Sequence, residues 1–134
     1  MNRLLPLAFV CFSMPFAAAG TVDPERFEKE VVVSACEDPM QLDIAGDGRV
    51  LFVERAGAVK LWSPVTNQTV TVGKFPSLTT GDAGALGLAM ARDFIASGQF
   101  YLYRIPLNEP GKVVISRHTL KGDRLEPKDE TRLL

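Results

Sequence analysis

The chain has 134 residues, 46% of them hydrophobic and 23% charged, which is the size and composition of one ordinary globular domain rather than of a disordered segment. Its 15 basic and 16 acidic side chains are interspersed and leave a formal net charge of -1, so there is no electrostatic footprint for a nucleic acid or an anionic membrane surface. Neither partner is expected.

The start of the chain differs from the rest. Arg3 supplies a positive n-region, Leu4 to Phe16 an apolar run, and Ala17, Ala18, Ala19 and Gly20 a small-residue cleavage site, which together read as an export signal over residues 1–19. Asp23, Glu25 and Arg26 follow at once, and the run is shorter than the roughly 20 apolar residues of a spanning helix. A periplasmic or extracellular protein with no membrane attachment after cleavage is expected; an uncleaved anchor is the alternative. Cys11 lies inside the removed segment, and Ala8-Phe9-Val10 before it lacks the small residue that lipoprotein processing requires. Cys36 is then alone, forms no internal disulfide, and with no neighbouring His or cation to activate it reads as a half-buried structural thiol.

The mature chain is a succession of short strand signals. Val31-Val32-Val33 predicts a strand over Glu30 to Ala35. Met40, Leu42 and Ile44 alternate with Gln41 and Asp43, and Gly46-Asp47-Gly48 predicts a two-residue type I′ hairpin into Val50-Leu51-Phe52-Val53, which is apolar at every position as a doubly buried strand would be. After a turn at Glu54 to Gly57, a third strand begins at Val59, and Gln68 to Lys74 reads as a solvent-edged fourth. The loop Pro76 to Ala83 is rich in Ser, Thr, Gly and Asp. Ala85 to Met90 is a small-apolar strand in which Gly87, with Gly84 just before it, leaves room for close backbone approach. A longer hairpin loop through Phe94 leads to an aromatic strand, Gln99 to Arg104, and Lys112 to Leu120 alternates as a further strand. Lys121 to Lys128 reads as a mixed-charge turn region, and a last strand is expected near Glu130 to Leu134. Nine prolines, eleven glycines and no convincing amphipathic stretch leave little room for helix.

Met40 to Lys74 and Ala85 to Leu134 therefore read as one object twice, a four-stranded sheet repeated at about 45 residues, the period of a β-propeller blade. The expected fold class is all-β: a partial propeller of about two four-stranded antiparallel blades, over about 38–75 and about 84–134, behind the signal segment. The strand at Val31 to Val33 is placed to close a ring as the outer strand of a last blade, and no last blade is encoded in this stretch.

The motifs Asp38-Pro39-Met40, Gly48-Arg49-Val50-Leu51-Phe52-Val53-Glu54-Arg55-Ala56-Gly57-Ala58-Val59-Lys60-Leu61-Trp62, Gly84-Ala85-Leu86-Gly87-Leu88-Ala89, Asp93-Phe94 and Tyr101-Leu102-Tyr103 occur in this order. In them the chain resembles the glucose/sorbosone dehydrogenase family, six-bladed propellers whose best understood members are exported sugar dehydrogenases dependent on pyrroloquinoline quinone (PQQ). The resemblance covers nearly the whole mature chain but matches only the first two blades. It implies a sugar or other polyol substrate, with PQQ and calcium, for a complete family member. It also implies that the catalytic histidine and most quinone-holding basic residues belong to later blades, so no catalytic, cofactor-binding or metal residue is assigned here, and His118 is not that histidine by position. Ala91-Arg92-Asp93 departs from the Asp-Pro common in relatives, which suggests a looser hairpin.

Within the matched part, the loop before Gly84 lies at the active-site mouth in relatives and carries a polar side chain facing the sugar. Asp82 holds that place, although an aspartate in a loop also serves to bond neighbouring backbone amides. Glu54 and Arg55, on a loop of the same face, read as a turn-stabilising ion pair. Asp38, Asp43 and Asp47 lack the spacing of a calcium loop, and one mature Cys with one His makes no zinc site. A serine triad would need His118, which reads as exposed polarity in a strand. Two functions are thus in view: a portion of a quinone-dependent sugar dehydrogenase, inactive alone, or a non-enzymatic propeller segment for binding or assembly. In the second, three copies would complete a ring by covering the apolar flanks at Phe52, Trp62, Leu86 and Tyr101. A third reading is a truncated or split gene whose remainder is encoded just downstream, and this is the expected explanation of the length.

Overall fold

The computed structural model describes residue 26 and residues 28–125 and 130–134. The predicted export signal lies outside the described residues. The chain divides into two compact units, Met1–Glu30 and Val31–Leu134, and the sheets belong to the second.

Among the described residues nine strands and one helical turn follow in chain order: β1 (Pro39–Ile44), β2 (Val50–Glu54), β3 (Ala58–Ser63), β4 (Gln68–Lys74), β5 (Ala85–Met90), α1 (Phe94–Ser97), β6 (Gln99–Arg104), β7 (Val114–Lys121), β8 (Arg124–Leu125) and β9 (Thr131–Arg132). They form two antiparallel meanders, one ordered β1-β2-β3-β4 and one β5-β6-β7-β8 with β9 also on β7. Strand β1 lies beside β5 and β4 beside β8, so the sheets stack inner strand to inner strand and outer to outer. The molecule is an all-β partial propeller of two blades.

The core lies between the sheets, and its membership follows from strand alternation. In the first sheet Leu51 pairs with Leu61 and Val53 with Val59, and all four are buried. In the second, β6 buries Phe100, Leu102 and Arg104 while β7 buries Val114, Ser116, His118 and Leu120. Leu51, Val53, Val59 and Leu61 join Leu88, Phe100, Leu102 and Leu120 in one apolar cluster. Burying such side chains contributes roughly 25 cal/mol per Å² of apolar surface removed from water, so two sheets sharing one core stabilise each other.

Several local expectations are corrected. Residues 30–35 form no strand, and Val31 and Val32 are exposed. Their β-branched propensity finds no ladder partner among the described residues, and propensity alone does not hold an extended segment in water. The β1–β2 turn is not type I′. Gly48 donates to the Ala45 carbonyl at 2.9 Å and takes the left-handed conformation at φ 84, while Gly46 and Asp47 have no positive φ. Only Gly48 of the Asp47–Gly48 pair is thus left-handed, as in a three-residue hairpin loop. The loop through Phe94 contains α1, closed by Gly98 donating to the Phe94 carbonyl at 2.7 Å, which drops the Phe94 ring into the core.

The fourth strand of the second blade comes in two pieces. Near the turn β8 pairs Leu120 and Lys121 with Leu125 and Arg124, and farther on β9 pairs Ser116 and Arg117 with Arg132 and Thr131. The flank at Phe52 is also not open, because that ring is buried. Trp62, Leu86 and Tyr101 are half-buried, and the exposed apolar row is instead on β1, where Met40, Leu42 and Ile44 are 39%, 54% and 63% exposed.

Candidate functional site

The loop between β4 and β5 is built from outside itself. Arg55, just past the end of β2, donates from Nε to the Ala83 carbonyl at 2.9 Å and from Nη2 to the Gly81 carbonyl, while its Nη1 lies 3.6 Å from Asp38 Oδ2. The Arg55 carbonyl accepts the Ala85 N–H at 2.9 Å, and its N–H donates to the Asp38 carbonyl at 3.0 Å. A Cβ at Gly84 would stand 2.7 Å from Arg55 Cγ, so the close approach expected at this glycine is used to seat the arginine. A rigid guanidinium fork suits this task, because one planar group can satisfy two carbonyls at once.

On the other side, Ser77 donates to the Ala56 carbonyl at 3.2 Å, Leu78 to the Ile105 carbonyl at 2.9 Å, and Ile105 to the Gly84 carbonyl at 3.0 Å. The loop is therefore tied to the β2–β3 turn and to the end of β6. Asp82 stands exposed between the two carbonyls held by Arg55, and among the described residues no hydrogen bond or ion pair engages its carboxylate. The backbone-bonding role open to a loop aspartate is not the one it takes.

Glu54 and Arg55 do not pair with each other. The buried Glu54 carboxylate accepts the Glu37 N–H at 2.8 Å and the Lys60 ammonium at 2.6 Å. Successive residues at a strand end point to opposite faces, which sends the two charges to different partners. Burial alone would raise the Glu54 carboxyl, but the Glu37 N–H and Lys60 outweigh it and hold it below its ordinary value.

His118 is not exposed either. It is 3% exposed, opposite Phe100 in register, and lies between Phe100 and Phe75 at ring-centroid distances of 5.3 and 4.4 Å. Its Nε2 lies 2.8 Å from Ser116 Oγ, one inward position away on β7. Burial holds the imidazole below its ordinary value; the Glu130 charge pulls it up and Arg104 pushes it down again. Among the described residues no carboxylate bonds to the ring, so this is a polar pair within the core and not a nucleophile with its base.

Of the three aspartates weighed against a calcium loop, Asp38 lies beside Arg55 while Asp43 and Asp47 serve the backbone. Asp47 accepts from the Arg49 N–H and Nε at 3.2 and 2.8 Å, and these bonds, against the upward push of burial, hold its carboxyl low. Asp43 accepts the Ile44 and Met90 N–H groups, each at 2.8 Å. No group of three metal-ligating side chains occurs among the described residues. Nor does the mouth make a quinone cradle. A tricarboxylate needs cations with donors to spare, and the arginine nearest Asp82 is already bonded to Gly81, Ala83 and Asp38.

Sequence reasoning picked out Asp82 but missed what positions it. Arg55 was noticed for its neighbour in sequence, whereas its partners are some 26 and 28 residues away.

The fold recurs among solved structures. A glucose dehydrogenase from Thermus thermophilus superposes with a TM-score of 0.66 at 27% identity, over 75% of this chain and 30% of that one. The PQQ-bound aldose sugar dehydrogenase of Streptomyces coelicolor gives 0.65 at 20% identity over 77% and 32%, and the apo soluble aldose sugar dehydrogenase of Escherichia coli gives 0.63 at 18% over 78% and 31%. The chain thus spans about a third of the length of these structures. A search among curated protein sequences gives no match. Residues 36–134 match the family described as Glucose / Sorbosone dehydrogenase, to which this chain belongs.

Proposed function

We propose that this chain supplies two neighbouring blades of an exported, PQQ-dependent sugar dehydrogenase, with Asp82 facing the sugar, and that these blades alone do not oxidise it. The observation that carries the reading is the Asp82 loop, pinned through both flanking carbonyls by Arg55 while its own carboxylate stays unengaged. Binding groups are commonly presented in this way, on a loop held by a rigid scaffold. Oxidation of a sugar hydroxyl needs a base to take the proton and a quinone to take the hydride. That the one histidine is enclosed in the core and the arginine beside Asp82 is engaged by backbone carbonyls supports the reading that these two blades do not oxidise the sugar alone.

The test is dye reduction by the purified chain with PQQ, calcium and glucose. No reduction is expected, and turnover above the protein-free control overturns the inactivity. In a propeller completed with the remaining blades, Asp82→Ala is expected to raise KM for the sugar about tenfold, the scale of one lost hydrogen bond to a charged group. An unchanged KM removes Asp82 from the sugar site. For export, N-terminal sequencing of the secreted protein is expected to begin at Gly20.

The assembly reading draws on the exposed row Met40, Leu42 and Ile44 of β1, an edge strand with an apolar face. Sedimentation distinguishes the two readings: a trimer favours a ring of three copies, and a folded monomer removes it.

A further inference from the structure

A second polar centre lies away from the Asp82 loop. Arg104 ends β6 with only 6% of its surface exposed. Its Nη2 lies 3.0 Å from Glu130 Oε1 and its guanidinium carbon 5.8 Å from the Phe75 ring centroid, yet its Nε is buried without a hydrogen-bond partner. Beside it opens a cleft of about 470 Å³ lined by Pro76, Arg104, Leu107, Asn108, Glu130 and Arg132.

We propose that this cleft is a binding site for a small oxyanion, a carboxylate or a phosphate, taken up by the Arg104 Nε–H, which is closed to solvent and opens to the cleft as the Glu130 side chain swings aside, with Arg132 beside it. The stereochemistry of the guanidinium favours this occupant. Nε and Nη2 form one side-on fork that matches two oxygens, and Glu130 contacts only one prong of it.

Charge points the same way. Arg132 lies 2.8 Å from Glu109 and 3.9 Å from Glu130, and Glu109 also lies 3.6 Å from Lys112. Among the described residues three cations, Arg104, Arg132 and Lys112, therefore share two carboxylates, Glu109 and Glu130. The walls at Pro76 and Leu107 are apolar, and a charge-assisted hydrogen bond is stronger in such a setting than in open water. Asn108 adds an amide able to donate to a further oxygen.

The site is tested on the full chain, labelled with nitrogen-15, by following the arginine Nε–H signals during titration with acetate and separately with inorganic phosphate, against chloride at constant ionic strength. The Arg104 signal is expected to shift and saturate with at least one oxyanion and not with chloride; the anion that saturates at the lower concentration identifies the source chemistry. Arg132→Ala, at a residue with 47% of its side chain exposed, is expected to keep the fold and weaken that binding about tenfold. The proposal is overturned if the Arg104 signal moves no more than those of exposed arginines, if it tracks total salt without saturating, or if Arg132→Ala leaves the midpoint in place. It is equally overturned if Glu130→Gln alone shifts the Arg104 Nε–H and neither anion does, because Glu130 then already fills the fork.

Discussion

Asp43 in β1 accepts the backbone N–H of Met90 in β5 at 2.8 Å, a bond between the innermost strands of the two blades. A side chain here replaces what a ladder would otherwise do, since the two strands belong to different sheets. Asp43→Ala leaves the part-buried Met90 N–H without its acceptor and is expected to cost about 1 to 2 kcal/mol. Asp43→Asn keeps an acceptor oxygen and should cost less. Urea unfolding checks both, with the midpoint lowered and the slope unchanged.

The Glu54–Lys60 pair is the more deeply buried of the contacts near the mouth, with side chains 5% and 19% exposed. Lys60→Met strands a buried carboxylate and is expected to lower stability by about 2 kcal/mol, somewhat less than for a fully buried pair because Lys60 reaches solvent. Glu54→Gln with Lys60→Met should recover part of that loss. A double-mutant cycle in which the two effects simply add would show that the ion pair contributes nothing.

Gly57 has φ 100, and a Cβ there would run into the Phe75 carbonyl. Its own carbonyl accepts the Phe75 N–H at 2.8 Å. Gly57→Ala combines a left-handed conformation with a backbone collision and is expected to cost about 3 kcal/mol by thermal unfolding. A melting temperature within a degree of the parent would contradict this.

His118 is the sole histidine and is held below its ordinary value of 6.5 by burial first, with Arg104 acting in the same sense and Glu130 against it. The unfolded chain therefore binds the proton before the folded chain does. Full stability is present above 6.5 and is lost as the pH falls below that value toward the lowered folded one. The depressed carboxyls of Asp47, Glu54 and Glu109 follow the same sign but act below their ordinary values of 3.8, 4.5 and 4.5, so the windows separate. Stability against pH should fall as the pH drops below 6.5, and His118→Phe should abolish that slope and leave the acid loss intact.

Most of the architecture was legible because each strand carries its own pattern. Gln68–Lys74 has the bounds that its alternation predicts, Ala85–Met90 those of its small-apolar run and Gln99–Arg104 those of its aromatic run. Two-residue β8 escaped because Arg124–Leu125 is too short to show a period. The burial of His118 escaped for a different reason. Alternation places Ser116 and His118 on one side of β7 but does not say which side meets the other sheet, and a polar pair looks solvated until its partners Phe75 and Phe100 are known. Val31 to Val33 shows the converse, a strong local preference with nothing to pair with. At the mouth, Asp82 stood out by its place in a motif, whereas the role of Arg55 is written in contacts far along the chain and no local rule reaches them.

The Arg55 fork has a consequence for how such proteins can be recombined. Residues 76–84 precede the second sheet in sequence but are held by the Arg55 side chain of the first as well as by Ile105 at the end of β6, so the sequence joint falls inside a structure that both sheets hold. A chimera spliced between Lys74 and Ala85 would keep every strand whole and still drop the mouth if the donor supplied the linker without the matching arginine. The transferable cassette begins at Asp38, takes in the linker and ends beyond Leu107, and shuffling experiments should place their crossovers accordingly.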